Sequence, residues 1–120
     1  MSWHVEFELI ADWLEAQDPK VQRRVIAAAT VLAQDGPQLG RPLVDSVEGS
    51  RHNNMKELRT SSNTVAAIRI LFSFDPRRQA ILLLAGNKAG NWKRWYRENI
   101  SVADDLFDEH LISLKNGSAR

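Results

Sequence analysis

Two apolar stretches joined by Asp75-Pro76-Arg77-Arg78 constrain the fold of this chain more than any other feature. Val65–Phe74 is rich in β-branched and aromatic residues, Gln79–Ala85 is almost wholly aliphatic, and the short proline-bearing link between them suits a hairpin. Ala80–Ala85 contains no polar residue, so this strand is expected to be covered on both faces. The same run is far too short to cross a bilayer. Upstream, Met55–Thr60 reads as a strand that enters the hairpin through the polar turn Thr60-Ser61-Ser62-Asn63-Thr64. A meander of three strands results, and the rest of the chain must pack around it.

Trp3, Val5, Phe7 and Leu9 alternate with His4, Glu6 and Glu8, the period of a strand with one buried face. A short helix from Ile10 to about Ala16 follows. Asp18-Pro19 is an N-cap with proline in the first helical position, where its missing N–H costs nothing. Val21, Val25, Ala28, Ala29 and Leu32 then form a helical stripe that stops at Gly36-Pro37. Residues 36–54 read as a packed loop anchored by Leu39, Leu43 and Val47. A last helix is predicted from Ser101, whose hydroxyl caps it with Asp104 in a box-like arrangement, and Ala103, Leu106, Phe107, His110, Leu111 and Leu114 share one face. The order is strand, one or two helices, three strands, helix. It predicts a single α+β domain over residues 1–120.

Composition removes several chemistries. The chain is 43% hydrophobic and 26% charged, so disorder is not expected, and it has no cysteine for disulfides or thiolate chemistry. The first residues carry acids where a signal peptide needs a basic and then an apolar stretch, so a cytoplasmic protein with no membrane association is expected. There is no P-loop, no Gly-x-Gly-x-x-Gly, no His-Glu-x-x-His and no Gly-x-Ser-x-Gly. His4, His52 and His110 lack metal-ligand spacing, and no metal is expected.

The net charge is only +1, but it is unevenly placed: residues 1–50 carry −4, residues 51–97 carry +8 and residues 98–120 carry −3. A basic middle suits a polyanion, because each cation that meets a phosphate releases counterions. A solvated basic face without a ligand explains it equally well. Arg69 interrupts the apolar run on the face opposite Ile68, Ile70 and Phe72. A charge there requires an open face or a partner. Either it pairs with Glu57 on the neighbouring strand, or it stands at the floor of an open groove and holds a phosphate, with Lys56, Arg59 and Lys88 on the same rim. Trp92, Trp95 and Tyr96 supply rings for stacking bases or for packing under the last helix.

Met55-Lys56-Glu57-Leu58-Arg59, a polar turn, Ile68-Arg69-Ile70-Leu71-Phe72, Asp75-Pro76-Arg77-Arg78 and then Leu82-Leu83-Leu84-Ala85-Gly86-Asn87-Lys88 resemble, in this order, the RelE/ParE superfamily. The nearest likeness is to the HigB-like, phage-derived branch, and it covers about residues 3–114. It implies a RelE-like fold, a small twisted, mainly antiparallel sheet with helices packed on one face. It also implies the toxin of a type II toxin–antitoxin pair, a ribosome-dependent endoribonuclease that cuts mRNA without metal or cofactor. The partners implied are a helix-turn-helix antitoxin in a hetero-oligomer and mRNA on the ribosome.

By the same resemblance, Arg69 stabilises the transition state, Arg59 holds phosphate, Lys88 exchanges protons and Tyr96 lies near the reactive sugar. Arg51, Lys93, Arg94 and Trp92 are assigned to RNA binding. RelE has an arginine directly after the lysine of the last strand, where this chain has Ala89, and Lys56, Lys88 and His52 all remain candidates for the general base. The alternative is a ParE-like, non-enzymatic toxin that binds gyrase or another protein; relatives of that kind tend to lack the mid-sheet arginine and the downstream lysine. A third reading is an inactive phage or accessory module.

Overall fold

The computed structural model describes residues 2–60, 68–87 and 90–117. These form a five-stranded sheet in the order β1-β5-β4-β3-β2, with β1 at His4–Glu6, β2 at Val44–Ser46, β3 at Lys56–Arg59, β4 at Ile68–Phe74 and β5 at Gln79–Asn87. β1 is parallel to β5 and the other neighbours are antiparallel. The α-helices are α1 (Ala11–Glu15), α2 (Pro19–Asp35) and α3 (Trp92–Lys115). This is the expected α+β architecture, compatible with a RelE-like fold, with the β3–β4–β5 meander at its centre. Most of the turn assigned to Thr60–Thr64, the start of the strand assigned to Val65, and Lys88 lie outside the described residues.

Alternation along the strands sorts the core. Leu58, Ile70, Phe72, Ala80 and Leu82 pack with Val25, Ala28 and Leu32 of α2, and Trp13 and Leu14 of α1 join them. The helices α1 and α2 therefore lie on one face, as the resemblance implies. Leu71, Ile81 and Leu83 pack instead with Ile100, Ala103 and Phe107, so α3 adds cover on the other face. That second layer is the reason β5 is apolar at successive positions. Leu71 is opposite Leu84 while Phe72 is opposite Leu82, which leaves Leu83 as the extra residue of an irregular ladder.

The helix α2 starts as its sequence dictates: the Asp18 carboxylate accepts the Val21 N–H at 3.0 Å, ahead of Pro19. It ends at Gly36, where φ is +60° and a Cβ would stand 2.5 Å from the Trp3 indole nitrogen, so no other residue fits.

Three expectations need correction. The first strand stops at Glu6 because Glu8–Ile10 forms a 3₁₀ turn, its first N–H held by the Glu6 carboxylate at 3.1 Å. Leu9 is consequently exposed. Residues 36–54 are not all loop, since Val44–Ser46 pairs with β3 as the edge strand β2. The last helix begins at Trp92 rather than Ser101, capped by Asn91, whose side chain accepts the Arg94 N–H at 3.0 Å. Asp104 does not serve Ser101; it is buried and accepts from the Ser50 hydroxyl and the Arg51 N–H.

Candidate active site

The register of β3 and β4 sets Arg59 directly opposite Arg69. Like charges so placed repel, and Glu57, two residues earlier on the same face, lies between them. Glu57 Oε2 accepts from Arg59 Nε at 2.9 Å and from Arg59 Nη2 at 2.8 Å, and stands 3.8 Å from Arg69 Nε. Glu57 Oε1 accepts from the Tyr96 hydroxyl of α3. Arg59 Nη2 also reaches Asp45 Oδ2 of β2 at 3.2 Å. Arg69 is 9% exposed; its Nη1 donates to the Ile68 carbonyl at 3.0 Å, while its Nε has no hydrogen-bond acceptor among the described residues.

The first turns of α3 can close over these groups because Gly86, opposite Arg69 on β5, has no side chain. A Cβ there would stand 2.8 Å from the Trp95 indole nitrogen. Between these turns and the β2–β3 edge lies a cleft of about 380 Å³. Asp45, Glu48, Glu57 and Arg59 line it on one side, and Trp92, Tyr96 and Ile100 on the other. Trp92 is 51% exposed and meets Tyr96 edge-on at 6.3 Å.

Burial, reinforced by the hydrogen bond to Glu57 and by its charge, pushes the Tyr96 hydroxyl up to about 12. Tyr96 is therefore a donor at neutral pH and not a base. Burial alone would disfavour the Arg59 charge, but the hydrogen bond and charge of Glu57, with Asp45, leave its pKa above the usual value. Two guanidiniums thus converge on one planar anion. A phosphate presents the same acceptors with more negative charge.

Arg59, Arg69, Tyr96 and Trp92 are brought together as the sequence anticipates. The expected open groove around Arg69 is corrected: α3 and Glu57 bury that guanidinium, and the ion-pair alternative is the one realised. Lys56 does not share the rim. It is opposite Phe72, three positions from Arg59, and so belongs to the α2 side of the sheet.

His52 is held at the other end of α3, its Nε2 2.7 Å from Asp108 Oδ1 and its ring edge-on to Phe107. Asp108 is twelve residues along α3 from Tyr96, about 18 Å away. Arg51 is there too, paired with Asp105 and Asp108. Lys93 and Arg94 are on the first turn of α3, the former 5.6 Å over the Trp92 ring and the latter 2.9 Å from Glu98. Lys88 follows the last residue of β5 but lies outside the described residues. The residue at the centre, Glu57, entered the sequence reading only as an ion-pair partner. A signal for it was present: residues 51–97 hold ten cations and two acids, Glu57 and Asp75, and both acids are buried.

Among the described residues, no helix is long and apolar enough to cross a membrane. The family described as phage-derived, Gp49-like protein matches residues 12–108. HigB2 of Mycobacterium tuberculosis, strain H37Rv, is 52% identical over 116 residues, which is 97% of this chain and 58% of that protein. HigB3 of the same organism is 50% identical over 105 residues, 88% of this chain and 90% of that protein. Both relatives are named as toxins, and the chain spans little more than half of the length of HigB2. With the fold class and the family match agreeing, this chain belongs to the Gp49-like, phage-derived family, in its HigB-like branch.

Proposed function

We propose that the chain is the toxin of a type II toxin–antitoxin pair and acts as a metal-independent endoribonuclease on ribosome-bound mRNA. The observation that carries this reading is the convergence of Arg59 and Arg69 on a single anion, Glu57, which with Arg59 lines a cleft walled by Trp92 and Tyr96. The toxin names of HigB2 and HigB3 support it. The 2′-hydroxyl of one nucleotide attacks the next phosphate, and the phosphorane that forms gains negative charge. Preorganised guanidiniums stabilise that charge, which is the task otherwise given to a metal. Trp92 offers an exposed ring to a base, and Lys93 and Arg94 flank the entry. A helix-turn-helix antitoxin silences the protein in a cytoplasmic hetero-oligomer, with residues 1–120 acting as one toxin domain.

The test is a translating extract with a defined mRNA, followed by primer extension to map breaks. The wild type is expected to cut at discrete positions, with or without EDTA. Arg69→Lys keeps the buried charge but loses the planar fork, and should slow cleavage by about two to three orders of magnitude. Lysine is preferable to alanine because Arg69 is buried against Glu57, and truncation would leave that carboxylate short of a partner. A wild type that arrests growth while leaving mRNA intact would replace this reading with the gyrase-type protein inhibitor.

A further inference from the structure

We infer that Glu57 is the general base, the group that takes the proton of the attacking 2′-hydroxyl; the assignment rests on the ribonuclease reading above. A base for this step must stand beside the two guanidiniums that hold the phosphate. Lys56 is on the opposite face of the sheet and His52 is at the far end of α3. Tyr96 is protonated far above neutrality, and its proton already points at Glu57. Among the described residues lining the cleft, the carboxylates remain: Asp45, Glu48 and Glu57.

Asp45 is occupied by Arg41 Nε at 3.1 Å, the Ser46 N–H at 2.9 Å and Arg59. Glu48 is exposed, with no hydrogen bond among the described residues to fix its orientation. Glu57 is held from two sides, by the Arg59 fork and by the Tyr96 hydroxyl, and lies 3.8 Å from Arg69. A carboxylate has about four lone-pair sites, so these contacts leave capacity for one more hydroxyl. Its orientation is set before substrate arrives, which is what a base in an in-line displacement requires.

Glu57 is the counter-ion between Arg59 and Arg69, but a negative charge that stays beside a phosphate site opposes RNA binding. Proton transfer removes that conflict at the moment it matters. As the 2′-O–H bond breaks, the proton moves to a Glu57 oxygen and the 2′-oxygen forms a bond to phosphorus. Glu57 becomes neutral while the phosphorane gains charge, and Arg59 and Arg69 pass from the carboxylate to the phosphate oxygens. Their strongest contacts are then made in the transition state rather than in the bound substrate.

The P–O5′ bond breaks with its electron pair on O5′, which takes a proton from water. The products are a 2′,3′-cyclic phosphate and a 5′-hydroxyl, and Glu57 returns its proton to solvent. Tyr96 is not the acid, because it touches Glu57 directly while attacking and leaving oxygens lie on opposite sides of phosphorus. Its role is to position the carboxylate.

The experiment compares wild type, Glu57→Gln and Glu57→Asp in single-turnover cleavage of a defined mRNA on ribosomes. Binding is measured separately on the same mRNA with a 2′-deoxy nucleotide at the cleavage position. Both variants are expected to bind at least as tightly as wild type and to cut about 10²–10⁴-fold more slowly.

Glu57→Asp keeps the buried counter-charge but withdraws it by one methylene, and it decides the matter if Glu57→Gln fails to fold. If Glu57→Asp cuts within about threefold of wild type, or Glu57→Gln cuts as fast as wild type, Glu57 is only a counter-ion and the assignment is overturned. A wild type that does not cut removes the ribonuclease reading itself, an outcome that the variants alone cannot produce.

Discussion

Tyr96 is the one tyrosine of the chain, which makes its hydroxyl a reporter that nothing else in the protein contaminates. Burial and the Glu57 carboxylate hold it protonated up to about 12. Tyrosinate absorbance near 295 nm should therefore rise with a midpoint about two units above the ordinary value of about 10, and return to the ordinary value in denaturant. In Glu57→Gln, with the facing negative charge gone, the midpoint should fall back toward 10. Because the folded value exceeds the unfolded one, the stabilisation is fully present below about 10 and is lost as pH rises through about 12. Wild type should lose more stability than Tyr96→Phe between pH 9 and pH 11; a folded-state midpoint near 10 would mean that the Tyr96–Glu57 bond is absent in solution. At this scale Arg69 was legible because a charge inside an apolar strand stands out, and Arg59 through the family resemblance. The face of Lys56 and the distance of His52 were not, since both depend on strand register and on where α3 begins.

The start of α3 is hidden for a physical reason. Trp92, Trp95 and Tyr96 are middling helix formers set among cations, and the stripe Trp92–Tyr96–Ile100–Ala103–Phe107 shows only if the helix is extended backward from Ser101. β2 is three residues long, too short for alternation to register. The meander and α2, by contrast, announce themselves through apolar runs, turn residues and the Asp18-Pro19 cap. The seating of α3 depends on a single missing side chain. Gly86→Ala would drive a methyl into the Trp95 indole, a rigid group packed against the second core layer. Overpacking of this kind costs about 1–3 kcal/mol, and here it should also lift the first turns of α3 away from Glu57. A urea titration should show the loss of stability, and the tyrosinate midpoint should drop in the same variant. A cost below about 0.5 kcal/mol would mean that α3 is not seated by this contact.

For the molecule as a whole, the segregation of charge along the chain is undone by folding. The +8 segment spends much of its charge on acids: Arg51 pairs with Asp105 and Asp108, Arg59 with Glu57 and Asp45, and Arg94 with Glu98. The basic face that the sequence suggests is therefore smaller than its formal charge, and the ribonuclease proposed above would recognise RNA by a few convergent contacts rather than by a broad cationic field. This can be counted. For a single strand, the logarithm of the binding constant falls with the logarithm of salt concentration by about 0.7 per phosphate neutralised. Two or three phosphates, held by Arg59, Arg69 and one flanking cation, give a slope of about −1.4 to −2.1 for a short mRNA fragment carrying 2′-deoxy at the cleavage position. A slope steeper than about −4 would require Arg51 and Arg94 to leave their carboxylates as well and turn to RNA. In that case Arg51→Ala, far from the cleft, would flatten the slope as much as Arg59→Ala does. With Arg51 and Arg94 still on their acids, Arg59→Ala alone should reduce it, by somewhat less than one.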